Sequence, residues 1–427
     1  MNQRDLEYEK RRQHRKMIRQ RQVRRQKMIL LGSAVLMAGA VSIIVSIIIS
    51  KHNDAKEAAR LAELEQQKKE EMKQEQALLE ANTIHLVAVG DNLIHEQIYE
   101  SADTSQAVWN YDHLYTHIKE DIAAADLAAV NQECIFVEDH ADVSAYPEFG
   151  SPTEIGDALV NTGFDIVEHA TNHAFDKGTS GIQETLSYWK NAHPDIHVLG
   201  IHENQEAADT ISTITCKDVT FALLNYTGTI NNEDYDALPT YMLDLLRAEK
   251  VTADAAKARK AGDMVIAFVH AGMECSTEPN QDLKNFLQLL LSQGVDIAIC
   301  SHPHVLQNFE TLTDGQGNEM LVYYSLGNFI STQKEPECLL GGMADITISR
   351  DPQTGELSVS NSDLVPLVTH YNYDRQEYCV YKLEDYTEEL AAEHSIHQET
   401  NEVFTLESLK QQYENVLTQK YADTDAL

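Results

Sequence analysis

The chain of 427 residues contains 68 acidic residues against 33 Lys and Arg, and its net charge at pH 7 is −35. This acidity excludes a protein that binds nucleic acid non-specifically, because that affinity comes largely from basic groups on phosphates. It also disfavours tight contact with any polyanion unless metal ions or a local basic patch intervene.

The N-terminal segment, residues 1–28, is by contrast basic, with eleven Lys or Arg, three acidic residues and a local net charge of +8. No charged residue occurs from 28 to 50, and about 20 apolar residues are enough to cross the hydrocarbon core. A single transmembrane helix is therefore predicted at residues 29–50. Because Lys and Arg are retained on the cytoplasmic side, we expect a cytoplasmic N-terminus and a main domain outside the cell membrane.

Two other interpretations of the apolar segment are weaker. A cleaved signal peptide would have a shorter apolar core and a small-residue cleavage site, whereas this core ends in Ile47-Ile48-Ile49 without such a site. A buried helix of a soluble protein would not normally be so uniformly apolar beside eleven cations.

Residues 51–81 are rich in Ala, Glu, Gln and Lys and contain no Gly or Pro, a composition that predicts a helix. Such a stalk, if fully helical, would be roughly 45 Å long. Its apolar residues do not keep a heptad pattern, so we expect a spacer, with a dimerising coiled coil as the alternative.

All six cysteines follow the apolar segment, where an exterior location would permit disulfides. Their spacings are wide and irregular, no C-x-x-C occurs, and a domain of about 300 residues can build a core without disulfides. We therefore expect mostly free, buried thiols.

Residues 82–383 alternate short apolar runs with helical patterns, which predicts a layered α/β fold with a largely parallel sheet and flanking helices. The predicted strands are 83–89, 127–130, 164–168, 197–199, 219–225, 264–269, 295–300, 321–325 and 343–348. The predicted helices are 179–191, 252–261 and 281–293, and a further helix that Ser151-Pro152-Thr153-Glu154 would open with the spacing of a capping box. Residues 384–427 form an acidic C-terminal tail of helical character, with its main helix at 406–420.

Polar segments follow five of the predicted strands at the point where each strand ends. Ligands of α/β sheets bind at these carboxyl ends, since the loops there converge on one crevice. One carboxylate at a strand end means little, but five such segments indicate a binding site. They are Gly90-Asp91, Asn131-Gln132-Glu133, the H-A-T-N-H segment 169–173, the H-A-G-M-E segment 270–274 and the S-H-P-H segment 301–304.

The donor atoms of these segments suit a metal site. Carboxylate, amide and imidazole ligands are typical of Zn, Mn or Fe, whereas Ca prefers oxygen ligands alone. Donors from separate loops could hold one or two divalent ions, which would act on a phosphorus centre. Structural alternatives remain: Asp91 could cap a turn, Glu133 could pair with a base, and His173 or His270 could be a core histidine.

His302 and His304 are the strongest pair of candidates, because alternation along an extended segment around Pro303 would place both rings on one side. The neighbouring Cys300 would then point into the fold. We expect Asp176 to shape its loop and Asn328 to line the pocket. His95 and His169 are additional histidines near the predicted site.

Taken in order, six segments resemble the CapA family of capsule-synthesis proteins, also called PgsA, whose fold is similar to that of the calcineurin-like metallophosphatases. The segments are V-G-D at 89–91, N-Q-E at 131–133, A-T-N-H-A-F-D-K-G at 170–178, H-A-G-M-E at 270–274, H-P-H at 302–304 and Y-S-L-G-N-F at 324–329. The resemblance covers residues 83 to about 370 and leaves out the stalk and the tail.

The resemblance implies a role for each matched residue. The metal ligands would be Asp91, Glu133, Asn172, His270, His302 and His304. His173 would act as a general acid or stabilise developing charge instead of binding metal. The pocket would also include Asn131, Asp176, Glu274 and Asn328. The D-x-H opening of typical phosphoesterases is missing, since Asn92-Leu93 follow Asp91, and a second metal ion would therefore be weakly held or absent.

Two functions from different classes fit these features. The first is a metal-dependent hydrolase of the phosphoesterase type that acts on an envelope polymer or its precursor. The second is a non-catalytic metal-binding subunit of a poly-γ-glutamate synthesis and export complex, with capsule-synthesis membrane subunits as partners. A third reading, an exported phosphodiesterase unrelated to capsule, is also open.

Overall fold

A computed structural model describes residues 3–102, 109–231 and 237–421. The chain divides into two compact units, Met1–Leu79 and Glu80–Leu427. One long helix, α1 (Gln3–Ala81), accounts for the first unit. Its most apolar window has a mean hydropathy of 2.5 and is not buried, so that by length and composition this helix is a candidate membrane span.

The second unit contains the strands and the remaining helices. The strands are β1 (Thr83–Asn92), β2 (Leu127–Asn131), β3 (Phe136–Val137), β4 (Ser151–Pro152), β5 (Ile166–Glu168), β6 (His197–Leu199), β7 (Ser212–Cys216), β8 (Val219–Thr227), β9 (Met264–His270), β10 (Ile297–Ser301), β11 (Leu306–Thr313), β12 (Glu319–Leu326), β13 (Asn328–Ile330), β14 (Leu340–Arg350), β15 (Leu357–Asn372) and β16 (Glu377–Lys382). The helices are α2 (Glu96–Glu100), α3 (Lys119–Ala123), α4 (Glu154–Thr162), α5 (Gly178–Ala192), α6 (Gln205–Asp209), α7 (Ala248–Ala261), α8 (Gln281–Ser292), α9 (Glu388–Glu393), α10 (Ile396–Glu399) and α11 (Leu406–Thr418).

Most strands belong to two sheets. The first sheet has the order β16-β15-β14-β1-β2-β5-β6, with β13 paired beside the end of β1, and the second has the order β11-β12-β10-β9-β8-β7. Within the first sheet β1, β2, β5 and β6 are parallel, whereas β14, β15 and β16 are antiparallel. Within the second sheet β8, β9, β10 and β12 are parallel, and antiparallel strands β7 and β11 lie at the edges.

The layering of the domain can be followed along β9, because successive residues of a strand point to opposite faces. Ile266 and Phe268 belong to the large apolar core that both sheets share. Ala267 and Val269, which alternate with them, pack in a second core with residues of α7 and α8. The second sheet therefore lies between the first sheet and these two helices. The layered α/β fold with flanking helices that the sequence predicts is confirmed.

Two details differ from the predictions. The sheets are mixed, since strands β14 to β16 add an antiparallel half to the first sheet. The predicted capping box is also wrong: Ser151 and Pro152 form β4, which pairs with β3, and α4 begins at Glu154 without a side-chain cap. Ser151 is buried and its amide donates to the Ile135 carbonyl at 2.8 Å, so its backbone is already committed to a strand.

The part of the C-terminal segment that the structure describes packs into the domain. Ile396, Phe404 and Leu409 belong to the large core. The Tyr413 hydroxyl donates to the Leu364 carbonyl at 2.6 Å, which fastens α11 to β15.

Candidate metal site

The site begins where β1 ends at the boundary between the two sheets. The amide of Asp91 donates to the Gly327 carbonyl at 2.9 Å, just before β13. A side chain at Gly90 would collide with this same carbonyl oxygen, so only glycine allows the close approach of the two segments. The parallel pairing of Asp91 with Asn328 follows from this approach.

Glu133 is the residue of the site whose carboxylate lacks hydrogen-bond partners. It is fully buried two residues beyond β2, and neither of its carboxylate oxygens has a hydrogen-bond partner among the described residues. The Thr171 hydroxyl donates to the Glu133 backbone carbonyl at 2.7 Å and so holds the residue without satisfying its side chain. A buried carboxylate with no partner is costly, and an unseen cation is a standard explanation for one.

The ring of His270, at the end of β9, has polar neighbours at both of its nitrogens. Its Nδ1 lies 2.9 Å from the Ser301 hydroxyl and 3.1 Å from the Asn131 amide nitrogen. Its Nε2 lies 2.7 Å from Asn172 Oδ1 and 3.7 Å from Glu133 Oε1. Contacts at Nδ1 of this kind orient the ring, so that Nε2 points towards the oxygens of Asn172 and Glu133.

His302 and His304 complete the group beyond the end of β10. His302 Nδ1 lies 3.2 Å from His270 Nε2, and His304 Nε2 lies 3.8 Å from Glu133 Oε1. One donor atom from each of Glu133, His302 and His304 falls within 4.8 Å of the others, a spacing that could hold a metal ion.

The two histidines face the same site for a reason that differs from the prediction. The segment is not extended: His302 has φ +96° and His304 has φ +61°, both in the left-handed region that side chains rarely adopt. Alternation along an extended strand is therefore wrong as the cause, although both rings do approach the same site. Backbone strain of this kind is concentrated at functional sites. The prediction that Cys300 points into the fold is confirmed, since it is buried in the core under α7 and α8.

Asp91 is satisfied by protein groups, unlike Glu133. Its Oδ1 accepts from the Asn131 side chain at 2.7 Å, and its Oδ2 lies 3.0 Å from His304 Nδ1 and 3.2 Å from the His302 amide. Asn328 Oδ1 also lies 3.1 Å from His304 Nδ1. Asp91 therefore orients the His304 ring and directs its other nitrogen towards Glu133.

The pKa values of these groups follow from burial and from their mutual charges. Burial, together with the charge of the neighbouring His304, lowers the pKa of His302 to about 4. Burial, together with His302, also holds the pKa of His270 well below its usual range. Both rings are thus neutral near pH 7 and keep a lone pair for a metal.

The pKa values of the two carboxylates shift in opposite directions. Burial opposes ionisation of Asp91, but the hydrogen bond and charge of His304 outweigh it and bring the pKa of Asp91 to about 2. Burial raises the pKa of Glu133 well above its usual range, and the charge of His304 offsets this only in part. For His304 itself, burial is outweighed by Glu133 and Asp91, which raise its pKa to about 9.

A cavity of about 620 Å³ opens beside these ligands. His173 lines it, with Nδ1 2.6 Å from Asp176 Oδ2 and Nε2 3.2 Å from the Asn231 amide nitrogen. Asp176 also accepts from the Phe149 amide at 2.8 Å, and the Phe149 ring meets His173 edge to face at 4.6 Å. The His173 ring is thus fixed on three sides at the wall of the cavity.

Most residues predicted for the site do come together at the strand ends. Glu274 is exposed and lines the cavity, while Asn131 and Asn328 are buried behind the ligands. His95 also lines the cavity, with its pKa lowered to about 4 by burial. His169 does not: its Nε2 accepts from the Trp189 indole at 2.9 Å inside the core. The sequence predictions missed several cavity residues from unpatterned loops, namely Tyr146, Glu148, Phe149, Asn231 and Gln333.

The model of the bacterial capsule synthesis protein family PGA_cap matches residues 85–333, more than half of the chain. The chain belongs to this family. The matched region contains every predicted ligand and His173, and it confirms the resemblance inferred from the motifs.

Two relatives of this PGA_cap protein come from Bacillus. The capsule biosynthesis protein CapA of Bacillus anthracis is 25% identical over 263 residues, which cover 60% of this chain and 61% of the relative. The PGA biosynthesis protein CapA of Bacillus subtilis strain 168 is 25% identical over 248 residues, covering 57% of this chain and 62% of the relative. The matched region thus spans about three fifths of the length of either relative.

A solved structure of a Staphylococcus aureus protein assigned as a 5'-nucleotidase, in complex with α-ketoglutarate, is similar to 66% of this chain and 54% of its own. The similarity is distant, with 15% sequence identity and a TM-score of 0.41.

Proposed function

We propose that this PGA_cap protein is anchored in the cell membrane by α1 and acts outside it in the production of a capsule polymer of the poly-γ-glutamate type. We further propose that its site binds one or two divalent metal ions and hydrolyses a phosphoester-type bond in the envelope polymer or its precursor. The observation that carries this proposal is Glu133: both of its buried carboxylate oxygens lack a hydrogen-bond partner among the described residues, and its Oε1 lies 3.7 Å from His270 Nε2 and 3.8 Å from His304 Nε2.

The spacing of the donors supports a first metal ion. Two ligands that each lie about 2.1 Å from one ion are separated by roughly 3.0–3.4 Å. His270 Nε2 lies 3.2 Å from His302 Nδ1, within this range, and 2.7 Å from Asn172 Oδ1 and 3.7 Å from Glu133 Oε1, which would each move by a few tenths of an ångström on binding. These four residues, which supply neutral nitrogens, an amide oxygen and a carboxylate, would hold Zn, Mn or Fe.

A second ion would need Asp91, Glu133 and His304. Asp91 is already hydrogen-bonded to Asn131, His302 and His304, so it would exchange these partners for a metal bond. We therefore propose that the first position fills at lower metal concentration than the second. Asp91 orients His304 while the second position is empty, as carboxylates do for histidine ligands.

The metal and His173 would have separate roles in the proposed reaction. A bound divalent ion would polarise a phosphoryl oxygen as a Lewis acid. His173 lies at the cavity wall, where the contact of its Nδ1 with Asp176 fixes the orientation of the ring. In its protonated form His173 would donate a proton from Nε2 to the leaving group or stabilise its developing charge.

The proposed location rests on α1 and on the charge distribution. The basic residues lie before the apolar part of this helix, and the acidic domain lies after it. This order favours a cytoplasmic N-terminus and an exterior domain. The proposed partners are membrane subunits of a capsule-synthesis complex.

A non-catalytic metal-binding role in the same complex is the second candidate. It is favoured by the family's description, which names a process and no reaction. It is also consistent with the charge of the cavity: among the residues described around it, Glu148, Asp176 and Glu274 are acidic and none is Lys or Arg. A polyanion would then bind only through metal ions.

The two candidates separate in one experiment on the full-length protein in detergent. Bound metals are measured by mass spectrometry, and hydrolysis is assayed with phosphodiesters and with poly-γ-glutamate. We expect the wild type to carry metal and to hydrolyse a phosphodiester, and His270→Ala to lose both. His85→Ala, a histidine far from the cluster that pairs with Asp345, is the matched control and should lose neither.

Metal without turnover on any of these substrates would favour the accessory role. A wild-type protein that binds no metal would contradict both candidates.

A further inference from the structure

Two of the six cysteines lie together beside the candidate metal site. Cys275 is exposed, follows β9 by five residues and has φ +56°, and its amide donates to the Pro303 carbonyl at 2.9 Å. Cys338 is buried in the short 3-10 helix Pro336–Leu339. The side chains of Cys275 and Cys338 interact with each other, although 62 residues lie between them in the chain.

We propose that Cys275 and Cys338 form a disulfide in the exported domain, which makes this pair a covalent modification site of the protein. The proposal depends on the exterior location given under the proposed function, since disulfides persist in oxidising compartments and not in the cytosol. It does not depend on whether the site binds metal or turns over a substrate.

The other cysteines have different surroundings. The Cys134 thiol accepts from the Ile94 amide at 3.3 Å, and Cys379 in β16 contacts Tyr381. Cys300 is buried in β10, and Cys216 ends β7. We therefore expect these four to remain thiols.

The disulfide would join two walls of the cavity. Cys275 follows Glu274, which lines the cavity. On the other wall, the Cys338 carbonyl accepts from Asn328 Nδ2 at 3.0 Å, and Asn328 Oδ1 lies 3.1 Å from His304 Nδ1. The closed loop would contain β10, β11 and β12 together with His302 and His304. Oxidation would thus restrain the segment that carries two proposed metal ligands.

The reaction requires an external disulfide as the oxidant, either a protein thiol oxidase or a small-molecule disulfide. The exposed Cys275 thiolate attacks one sulfur of that disulfide and forms a mixed disulfide, releasing one thiolate. The Cys338 thiolate then attacks the Cys275 sulfur and releases the second. The two cysteines lose two electrons, which reduce the external disulfide to two thiols, and those thiols take up the two cysteine protons.

The thiols fit this order of events. Cys275 is the accessible partner, and Cys338 can act only as the resolving thiol because it is buried. Burial raises the pKa of both thiols, so uncatalysed oxidation is slow and a thiol oxidase is the expected oxidant.

The test uses full-length protein in the membranes of cells that are quenched with acid. Free thiols are alkylated, and tryptic peptides are analysed by mass spectrometry without reduction. We expect a linked pair of the peptides 261–284 and 335–350, which contain Cys275 and Cys338. The link should be absent in Cys275→Ser and unchanged in Cys379→Ser, the matched control for another buried cysteine. Alkylation of both cysteines in the wild type would overturn the proposal.

Two further measurements on the same cells assign the cause of such a failure. External protease on protoplasts reports the location: if the domain is protected, the exterior location fails and the disulfide fails with it. If the domain is digested and the peptides are unlinked, the disulfide alone is wrong. Metal content of the purified protein is measured separately and tests the proposed function without reference to the cysteines.

The disulfide should also be visible in thermal unfolding of the full-length protein. Closing a loop of about 60 residues should raise Tm by about 5 °C for a domain of this size. A reductant should remove this increment in the wild type and have no effect on Cys275→Ser. Equal Tm values with and without reductant would contradict a loop closed by Cys275 and Cys338.

Discussion

Two regions of the domain contain several buried histidines: the candidate metal site, and a C-terminal histidine cluster formed by His370, His394, Tyr386 and Phe404. The histidines of both regions are buried, and burial lowers the pKa of most of them. In the C-terminal cluster the ring nitrogens find protein partners. His370 Nδ1 lies 2.8 Å from the Tyr386 hydroxyl, and His394 Nδ1 accepts from the Ile396 amide at 3.0 Å.

The candidate metal site differs because several of its buried polar atoms have no hydrogen-bond partner among the described residues. Glu133 Oε1 and Oε2, Asn131 Oδ1 and Asn172 Nδ2 are buried there without hydrogen-bond partners, whereas no side-chain atom of His370, His394 or Tyr386 is in this state. Buried histidine with a lowered pKa is therefore a poor mark of function in this chain. An unsatisfied carboxylate oxygen beside a neutral imidazole is the better one, because a bound cation would satisfy both groups.

The largest effect should come from Glu133→Gln, which keeps the shape of the side chain and removes its charge. We expect metal affinity to fall by more than about 100-fold, since a bound ligand is lost and not merely an orienting neighbour. In the presence of a chelator the same variant should be no less stable than the wild type, because a buried carboxylate without partners is removed. Titration calorimetry and urea unfolding measure the two quantities.

Glu168→Gln is the matched control for this prediction. Glu168 is also buried and has an unsatisfied oxygen, and burial raises its pKa, but the site residue whose charge acts on that pKa is Asp91 and not a histidine. It should retain metal affinity. If both variants lost metal affinity equally, the affinity would depend on buried carboxylates in general and not on Glu133.

His173 should matter for turnover and not for metal content. If the protein hydrolyses phosphodiesters, we expect His173→Asn to lower kcat by about 100-fold, the range typical of a lost general acid. Asp176→Asn should lower kcat by less, because it acts only through the ring orientation of His173. Metal analysis of both variants should match the wild type, and a loss of metal in His173→Asn would place this residue among the ligands.

The C-terminal histidine cluster should make the metal-free protein sensitive to mild acid. Burial lowers the pKa of His370 to about 4 and that of His394 to about 3, against an ordinary value of 6.5. The unfolded chain therefore binds protons below pH 6.5 that the folded protein does not bind. The stabilisation is complete above pH 6.5 and is lost as the pH falls from there through the folded pKa values.

We expect the unfolding free energy to drop by about 4 kcal/mol between about pH 7 and about pH 5 because of this cluster, with about 2 kcal/mol from each of the two rings. Urea unfolding in the presence of a chelator measures the drop, and His394→Gln should reduce it by removing one titrating ring. An unchanged pH dependence in His394→Gln would show that other groups titrate in this range.

A smaller loss should follow from Tyr386→Phe, which leaves His370 Nδ1 without its 2.8 Å partner. Deleting one partner of a buried neutral hydrogen bond costs about 1–2 kcal/mol. The metal affinity should not change. This loss contrasts with Glu133→Gln, where removing a charge should cost the metal-free fold nothing.

The sequence predicted the site better than it predicted the cavity. Asp91, Glu133 and His270 follow apolar runs that form parallel strands. The carboxyl ends of such strands meet at one edge of the sheet, independently of the conformation of the loops. Asn231 and Phe149 lie in loops without periodicity. Asn231 reaches His173 across 58 residues of chain, a contact that depends on the whole fold.

The errors also have local causes. The 16-residue strand β15 contains Pro366 in its interior, and much of its first half is exposed. A sequence with an interior proline and few buried apolar residues does not predict a strand, and β15 was therefore missed. The S-P-T-E segment has the spacing of a capping box, but Ser151 is part of β4 and pairs with β3 instead of capping a helix. Tertiary contacts override local signals in both cases.

The most direct test of the metal site is an anomalous difference map from crystals of the protein grown with manganese or zinc. A peak surrounded by Glu133, Asn172, His270 and His302 is predicted, and it should be absent in crystals of Glu133→Gln. Wild-type crystals at saturating metal with no peak at this position would contradict the site.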